Sequence, residues 1–238
     1  MSELIRPLMV SRPVALALAG TLALGSAAAL VTPRAESAET LAGRAAVIDG
    51  DTLEIEGTHI RLEGIDAPEK AQTCSRRWFG SWSCGEAASK ELAKLVDGRR
   101  VECESRGHDK YSRVLGVCFV DGRDINAEMV RNGFAWAFVK YSKSYVETEA
   151  EARTMKIGIW QGEAEPAWVF REKRWQAAEQ TAPDGCAIKG NVTASGHIYH
   201  MPWSPWYGKV RVEANKGEHW FCSETEAKAA GWRPAVVN

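Results

Sequence analysis

Short stretches in which apolar and polar residues alternate dominate the chain between residues 41 and 120. Bounded by glycine and aspartate turn signals, these stretches predict strands at residues 45–48, 52–55, 59–62, 99–103 and 114–120. Apolar residues at helical spacing predict a helix at residues 85–96. A second helix is predicted at residues 126–131, where Asn132-Gly133 ends it, and a third at residues 145–156, a stretch rich in glutamate and alanine that ends at Gly158. The order of these elements predicts a mainly β, α+β domain: an OB-fold five-stranded barrel with three helices.

Composition narrows the class of protein without indicating a function. Of the 238 residues, 45% are hydrophobic and 26% are charged, which excludes collagen-like, wholly disordered and multi-span membrane proteins. Lysine and arginine number 30 against 31 acidic residues, so the formal net charge is -1. The chain lacks the basic footprint of a tight nucleic-acid binder, and any nucleic-acid contact is expected to be local and salt-sensitive.

The N-terminus has the layout of an export signal. Arg6 and Arg12 precede an apolar run over residues 14–31, and a polar stretch follows. We interpret residues 1–38 as a signal peptide, or as an N-terminal membrane anchor if the segment is not cleaved. The protein is then expected to be exported and to be periplasmic or secreted.

The rest of the chain divides into a domain and an appendage. Residues 41–175 carry the predicted barrel, residues 176–185 have the composition of a linker, and residues 186–238 form a small accessory module of unknown role. This C-terminal module holds four of the ten tryptophans and three of the five histidines. A module this short is expected to need a disulfide or a bound metal ion to be stable.

The cysteines predict disulfides. All six lie after the targeting segment, which favours a disulfide framework in an oxidising compartment. Pairs that stay within one predicted unit are favoured among the 15 pairings that six cysteines allow. They are Cys74 with Cys84, Cys103 with Cys118, and Cys186 with Cys222.

Two other interpretations of the C-terminal module stay open. His197, His200 and His219 could form a zinc site with Cys186 and Cys222, although the disulfide is favoured in an oxidising compartment. The module's aromatic residues either bind a glycan or another envelope component or form the core of the module: Tyr199, Trp203, Trp206 and Tyr207.

Four acidic residues cluster in two loops of the predicted barrel. Asp49 and Asp51 flank a glycine, and Asp66 and Glu69 follow a strand. Grouped carboxylates repel one another unless a cation lies among them, and oxygen-only ligands suit calcium or magnesium. The alternative is that both segments only make turns, as Asp-Gly and Asp-Ala-Pro often do.

Two arginines favour the chemical interpretation. Arg61 lies on the strand before the second acidic loop, and Arg113 lies at the start of a later strand. A guanidinium group matches a phosphate in shape and stays charged throughout a reaction. Acids and arginines together supply a metal site, a base and two phosphate-binding groups, which indicates phosphoryl chemistry.

The motifs that contain these residues resemble those of the staphylococcal (micrococcal, or thermonuclease) nuclease family, in the same order, from about residue 45 to residue 160. The matching segments are VIDGDT at residues 47–52, IRLEGIDAPE at 60–69, DKYSRVL at 109–115, NAEMVRNG at 126–133 and GIW at 158–160. The resemblance implies a calcium-dependent nuclease on an OB-type barrel with three helices, which agrees with the predicted elements.

Carried over by position, the resemblance implies a single Ca²⁺ site. The carboxylates of Asp51 and Asp66 and the backbone carbonyl of Ala67 would bind the ion, with Asp49 supporting them. Many family members have threonine where Ala67 stands, but a main-chain ligand does not depend on the side chain.

The resemblance also implies catalytic and substrate-binding residues. Glu69 would orient or deprotonate the attacking water, and Arg61 and Arg113 would bind the phosphate. Lys110, Tyr111 and Tyr141 would contact the nucleotide.

The loop at residues 71–85 carries arginines next to tryptophans. Arg76, Arg77, Trp78 and Trp82 could clamp single-stranded nucleic acid. The alternative is a disulfide-closed loop whose tryptophans pack on the barrel.

We therefore expect an exported calcium-dependent nuclease that hydrolyses phosphodiester bonds of DNA and/or RNA by metal-assisted in-line attack of water. No obligate protein partner is implied, and the C-terminal module is a candidate for contact with the envelope. The alternative is a non-catalytic OB-fold module that binds nucleic acid or an envelope polysaccharide.

Overall fold

A computed structural model describes residues 39–109 and 113–235 of the protein. The segment interpreted as an export signal, residues 1–38, lies outside the described residues, and so do Lys110 and Tyr111. Within the two described ranges, no helix has the length and apolar character needed to cross a membrane.

The described chain alternates short strands with helices. In chain order, the strands of its first part are β1 (Thr40–Val47), β2 (Thr52–Ile55), β3 (Thr58–Leu62), β4 (Ile65–Asp66), β5 (Cys74–Ser75), β6 (Ser81–Trp82), β7 (Arg100–His108), β8 (Val114–Val120), β9 (Arg123–Asp124) and β10 (Trp136–Ala137). The helices of this part are α1 (Cys84–Val96), α2 (Ile125–Arg131), α3 (Val146–Met155) and α4 (Ala167–Glu179), with a 3₁₀ turn at Gly158–Gln161.

Five of these strands close into a barrel. They are hydrogen-bonded in the order β3-β2-β1-β7-β8, with antiparallel neighbours. The barrel closes through a parallel pairing of β3 with β8, in which Ile60 lies opposite Val114 and Leu62 opposite Gly116. This confirms the prediction of an OB-type five-stranded barrel within an α+β fold.

Strand β1 is longer than its sequence pattern predicted. It begins at Thr40 rather than at residue 45, and its first half pairs with β7. A glycine often interrupts a strand, but Gly43 lies inside β1. Its backbone is in close contact with a neighbouring strand, which leaves no room for a side chain. A β-carbon on Gly43 would stand 2.8 Å from Cγ2 of Ile55, so only glycine fits without displacement.

The barrel core is apolar, and helices pack against it. Alternate residues of β2 and β3, such as Leu53 and Ile60, are fully buried. Helix α1 adds Ala88 and Leu92 to the same core, and α2 adds Met129. The three predicted helices match α1, α2 and α3 to within one residue at each end.

Helix α4 was not predicted. It runs four residues into the segment at 176–185 that was interpreted as a linker, and a 3₁₀ turn at Pro183–Gly185 follows. Its sequence, AWVFREKRWQAAE, has no continuous apolar stripe, so its periodicity does not indicate a helix. The helix is held at its two ends, where Ala167 packs in a barrel-side cluster and Trp175 packs against the C-terminal module.

The C-terminal module is a small sheet with one helix. Its strands are β11 (Ile188–Thr193), β12 (Gly196–His200), β13 (Trp220–Phe221) and β14 (Arg233–Pro234), in the order β13-β11-β12-β14, and α5 spans Glu224–Ala229. A further 3₁₀ turn lies at Ala214–Lys216. Tyr199 and Trp232 belong to its buried core.

Three disulfides join the cysteines, and none of the cysteines is free. They connect the pairs favoured from the sequence: Cys74 with Cys84, Cys103 with Cys118 across β7 and β8, and Cys186 with Cys222. Each bond closes a loop within one part of the fold and so restricts the unfolded chain.

Candidate active site

The first acidic loop is a tight turn between β1 and β2. The backbone N–H of Ile48 donates to the carbonyl of Thr52 at 2.9 Å, and the N–H of Asp51 donates to Oδ1 of Asp49 at 3.0 Å. This aspartate-to-backbone bond is typical of residues that favour turns. The turn places Asp51, which is 3% exposed, on the inside of the loop.

Gly50 allows the two acidic loops to meet. A β-carbon at this residue would stand 2.8 Å from the β-carbon of Ala67 and 2.9 Å from that of Ala88. Because Gly50 has none, Oδ2 of Asp51 accepts a hydrogen bond from the backbone N–H of Ala67 at 3.0 Å. The two loops identified in the sequence therefore form one site.

Arg61 joins the two loops a second time. Its Nη1 donates to Oδ1 of Asp51 at 2.6 Å, and its Nη2 donates to Oδ1 of Asp66 at 2.7 Å. Asp66 is fully buried, and the Arg61 side chain is only 16% exposed. The two carboxylates that the resemblance implies as calcium ligands, those of Asp51 and Asp66, thus lie in one buried ion-pair network centred on this arginine.

The loop that follows Asp66 holds Glu69 in place. The N–H of Glu69 donates to Oε1 of Gln72 at 3.2 Å, and the N–H of Gln72 donates to the carbonyl of Glu69 at 2.7 Å. A β-carbon on Gly85 would collide with that carbonyl at 1.7 Å. The start of α1 can approach the Glu69 loop only because Gly85 lacks a side chain.

Arg171 of helix α4 is a member of the cluster that sequence analysis missed. Its Nη1 donates to Oε1 of Glu69 at 2.6 Å and to Oδ1 of Asp66 at 3.1 Å, and its Nη2 donates to Oδ2 of Asp66 at 2.7 Å. It lies 102 residues from Glu69 in the chain, in a helix without a clear apolar face. No spacing signal connects it to the acidic loops.

Burial and charge shift the pKa values within this cluster. Burial, reinforced by the negative charge of Asp51, raises the pKa of Asp49 to about 6. Burial also raises the pKa of Glu69 to about 7, although the charge of Arg171 opposes that rise. For Asp51, burial favours the neutral form, but the charge of Arg61 and the Ala67 hydrogen bond outweigh it and hold the pKa below its ordinary value.

The chemistry of the donor set fits a hard divalent cation. The cluster contains four carboxylates, and in the described residues the arginines within ion-pair distance of them are Arg61 and Arg171, so the carboxylates outnumber their cations. Across residues 39–109 and 113–235 no three His, Cys, Asp or Glu side chains are gathered as a metal site. The set implied by the resemblance needs only two carboxylates, Asp51 and Asp66, with the main-chain oxygen of Ala67.

Arg113 lies at the edge of the same site. Its Nε donates to Oδ2 of Asp109 at 2.7 Å, and its backbone N–H donates to Oδ1 of the same residue at 2.9 Å. Its positive charge also lowers the pKa of Asp51. Strand β8, which begins one residue later, pairs with β3 so that Leu115 lies opposite Arg61, and the barrel thereby brings both arginines to one end.

Tyr141 lies on the surface, away from the contacts of the carboxylate cluster. It is 65% exposed, and its ring meets that of Phe138 edge to face at 5.0 Å. Phe138 in turn stacks on Trp168 of α4 at 5.4 Å. These rings form an exposed aromatic group, the kind of surface on which a nucleobase can stack.

The loop closed by the disulfide between Cys74 and Cys84 was interpreted from the sequence either as a clamp for single-stranded nucleic acid or as a loop whose tryptophans pack on the barrel. Its two tryptophans differ in this respect. Trp82 packs inward and meets Phe134 edge to face at 6.4 Å. Trp78 is 76% exposed, and the guanidinium of Arg77 lies 5.0 Å from its ring centre. One tryptophan therefore supports the fold, and the other faces solvent beside a positive charge.

The histidines of the C-terminal module are dispersed among its aromatic residues. His197 stacks on Trp232 at 4.7 Å, and His219 meets the same ring edge to face at 6.0 Å. Because Cys186 and Cys222 are joined in a disulfide, they do not offer thiolate ligands for zinc. Tyr199 is 1% exposed and belongs to the core rather than to a glycan-binding surface.

Comparisons with known proteins agree with the motifs. A family model described as staphylococcal nuclease homologue matches residues 59–162, and a model described as ArfC matches residues 173–234. The chain is 38% identical to the succinoglycan biosynthesis protein ExoI of Rhizobium meliloti, over 62% of this chain and 79% of that protein. It is 35% identical to an uncharacterized endonuclease of Escherichia coli, over 54% of this chain and 82% of that protein. The chain is also 32% identical to a micrococcal nuclease of Shigella flexneri, over 57% of this chain and 80% of that protein.

Proposed function

The chain belongs to the staphylococcal nuclease family, and on this basis we propose that it is an exported calcium-dependent nuclease that hydrolyses phosphodiester bonds of DNA and/or RNA. One observation carries the proposal. Asp51, Arg61, Asp66 and Glu69, from separate segments of the barrel, converge in one buried charged cluster. All the charged positions that the family uses are occupied, and relatives named as nucleases share the domain.

Glu69 is suited to orient and deprotonate the attacking water. Its pKa of about 7 allows it to accept a proton near neutral pH. Oε1 is engaged by Arg171, so the other carboxylate oxygen is the one that receives a hydrogen bond from the water. The carboxylate then takes the proton as the water attacks phosphorus, while the P–O ester bond opposite the water breaks and the leaving oxygen gains a proton from solvent.

The arginines stabilise charge as phosphorus becomes five-coordinate. Arg61 uses its two terminal nitrogens on Asp51 and Asp66, and its remaining N–H donors can be directed to the phosphate. Arg113 supplies a second guanidinium at the same end of the barrel. Bound calcium would add positive charge beside the phosphate oxygens, and the residues that would hold it are Asp51, Asp66 and Ala67.

The disulfides support export. Three disulfides in a chain of this size favour an oxidising compartment, the periplasm or the exterior of the cell. Under this proposal the substrate is nucleic acid encountered outside the cytoplasm, and no obligate protein partner is required.

A second candidate function is favoured by one comparison. The relative that is 38% identical is named for succinoglycan biosynthesis rather than for a nuclease. This supports the alternative of a non-catalytic OB-fold module that binds nucleic acid or an envelope polysaccharide, with the C-terminal module contacting the envelope.

The two candidates differ in turnover. The test is release of acid-soluble nucleotides from single-stranded DNA and from RNA by the purified, disulfide-intact protein, with calcium or with a chelator, beside a sedimentation assay with an acidic polysaccharide. Calcium-dependent release supports the nuclease. Binding of either polymer by a folded protein that releases nothing supports the non-catalytic module.

A further inference from the structure

Helix α4 lies outside the part of the chain that matches the staphylococcal nuclease model, yet it contributes a side chain to the charged cluster. The match ends at residue 162, whereas α4 spans Ala167–Glu179. Arg171 contacts Asp66 through two nitrogens and Glu69 through one. The motifs that identify the site assign no role to this arginine.

The attachment of α4 explains why Arg171 reaches the cluster. Trp168, one helical turn earlier, stacks on Phe138 and meets Trp136 edge to face at 6.1 Å. Trp136 lies directly opposite Asp66 in the pairing of β10 with β4. Residues three apart share one face of a helix, so the same face of α4 that packs on the partner of Asp66 also presents Arg171 to Asp66.

A second contact ties the Glu69 loop to the segment that precedes α4. The side-chain amide of Gln72 donates to the backbone carbonyl of Glu165 at 2.5 Å, while its Oε1 accepts from the N–H of Glu69. The Glu69 loop and the start of α4 are therefore connected through one buried glutamine, 1% exposed.

The carboxylates of Asp66 and Glu69 differ in how far their ion pairing depends on Arg171. Asp66 is also held by Arg61, whereas Arg171 is the one cation within ion-pair distance of Glu69 in the described part of the chain. A planar guanidinium that contacts two carboxylates fixes their relative orientation, which a single-point ammonium cannot do as well. The direction of the Glu69 carboxylate is thus set by a residue of α4.

We infer that Arg171 is a positioning residue of this site: its guanidinium bridges Asp66 and Glu69 and holds the Glu69 carboxylate in the orientation that hydrolysis requires. Its catalytic consequence rests on the proposed nuclease function, whereas the bridge itself is a property of the fold. Positioning matters because a displacement of about 1 Å at a reacting group can cost on the order of 100-fold in rate.

The bridge is tested without any activity measurement, by thermal unfolding in the presence of a chelator. Arg171→Gln, Glu69→Gln and the double variant form a cycle with the wild type. Arg171→Gln is expected to lower Tm by about 6 °C or more, because it leaves Glu69 without its cation and leaves the buried Asp66 with Arg61 alone. In the Glu69→Gln background the same substitution is expected to cost at least about 2 °C less. If the decrease in Tm of the double variant equals the sum of the decreases of the two single variants, Arg171 and Glu69 are not coupled and the proposed bridge is wrong.

The positioning role is tested by steady-state kinetics with calcium. Arg171→Gln is expected to lower kcat at least about tenfold while KM changes less than about threefold. Arg171→Lys should recover part of the loss, because an ammonium can still bind one carboxylate. Arg174→Gln is the matched control, since this exposed arginine on the same helix lies 5.2 Å from the Phe170 ring.

The outcomes separate the two proposals. A kcat of Arg171→Gln equal to that of the wild type and of Arg174→Gln overturns the positioning role, even if the unfolding cycle shows coupling. If the wild type cleaves nothing, the proposed function fails and the catalytic role of Arg171 fails with it. The unfolding cycle still accepts or rejects the bridge in that case.

Discussion

Gly50 and Ala67 lie so close that a β-carbon on the glycine would stand 2.8 Å from the β-carbon of the alanine. This contact between two small residues brings the first acidic loop against the second. It allows the backbone N–H of Ala67 to donate to Asp51 at 3.0 Å. Two loops 16 residues apart in the chain thereby become one site.

Gly50→Ala is expected to push the loops apart. The added methyl group overpacks the contact with Ala67 and Ala88, which should lower the free energy of unfolding by about 1 to 3 kcal/mol. It should also lower nuclease activity by displacing Asp51. Gly208→Ala is the control, because a β-carbon there meets nothing within 4 Å. Urea unfolding and nucleotide release check both effects, and a Gly50→Ala protein that matches the control in both would contradict this account.

Arg61 and Arg113 are expected to differ in their effect on stability. Arg61→Gln leaves Asp51 and Asp66 buried without a shared partner and should cost about 3 to 5 kcal/mol of unfolding free energy in chelator. Arg113 is more exposed and pairs with the nearby Asp109, so Arg113→Gln should cost about 1 kcal/mol or less. Both variants should lose activity by about 100-fold or more.

Urea unfolding and kcat with calcium separate the two arginines. Because Arg113→Gln is expected to be folded and inactive, it tests catalysis without a stability effect. Wild-type turnover in Arg113→Gln would remove that residue from the mechanism. Wild-type stability in Arg61→Gln would contradict the ion-pair network.

Trp78 is expected to contribute to binding of single-stranded substrate. Its ring is 76% exposed beside Arg77, and stacking of a base on an aromatic ring contributes about 1 kcal/mol or more. Trp78→Ala should therefore raise KM for single-stranded DNA about fivefold or more and leave kcat nearly unchanged. Met155→Ala, at a 57% exposed apolar residue on α3, is the control. Equal KM values for the two variants would exclude this role.

His200 is expected to make the protein less stable in acid. Neither of its ring nitrogens has a hydrogen-bond partner in the described structure, and burial, together with the charge of Lys189, lowers its pKa from 6.5. Below that ordinary value the unfolded chain binds a proton that the folded chain does not, so stability falls as pH drops below 6.5. His200→Phe should show a smaller decrease in Tm between pH 7 and pH 5. Identical pH dependence in both proteins would contradict this explanation.

The barrel could be predicted from the sequence because its strands alternate apolar and polar residues between clear turn residues, and because glycines or Asn-Gly mark the ends of its first three helices. The start of β1 could not, since Gly43 is required by the close approach of Ile55, a tertiary contact. Helix α4 could not either, because its aromatic residues pack on different parts of the fold and do not form one apolar stripe.

The sequence indicated several residues that the structure brings together, but not the ion pairs that connect them. The order of motifs indicated Asp51, Arg61, Asp66 and Glu69, whereas the ion pairs among them depend on how the loops pack. The motifs gave no indication that Arg171 belongs to the site. This arginine is one of several basic residues in a polar helix, and tertiary contacts such as the packing of Trp168 against Trp136 direct it to the carboxylates.

Glu69→Gln is the most direct test of whether Glu69 activates water in a nuclease site. The measurement is release of acid-soluble nucleotides from single-stranded DNA with calcium, for wild type, Glu69→Gln and the surface control Glu86→Gln, all with intact disulfides. Glu69→Gln is expected to lose activity by about 100-fold or more, because an amide cannot accept the proton, while Glu86→Gln is expected to match the wild type. Activity of Glu69→Gln within about threefold of the wild type would contradict this role of Glu69, since loss of a general base costs at least about 100-fold.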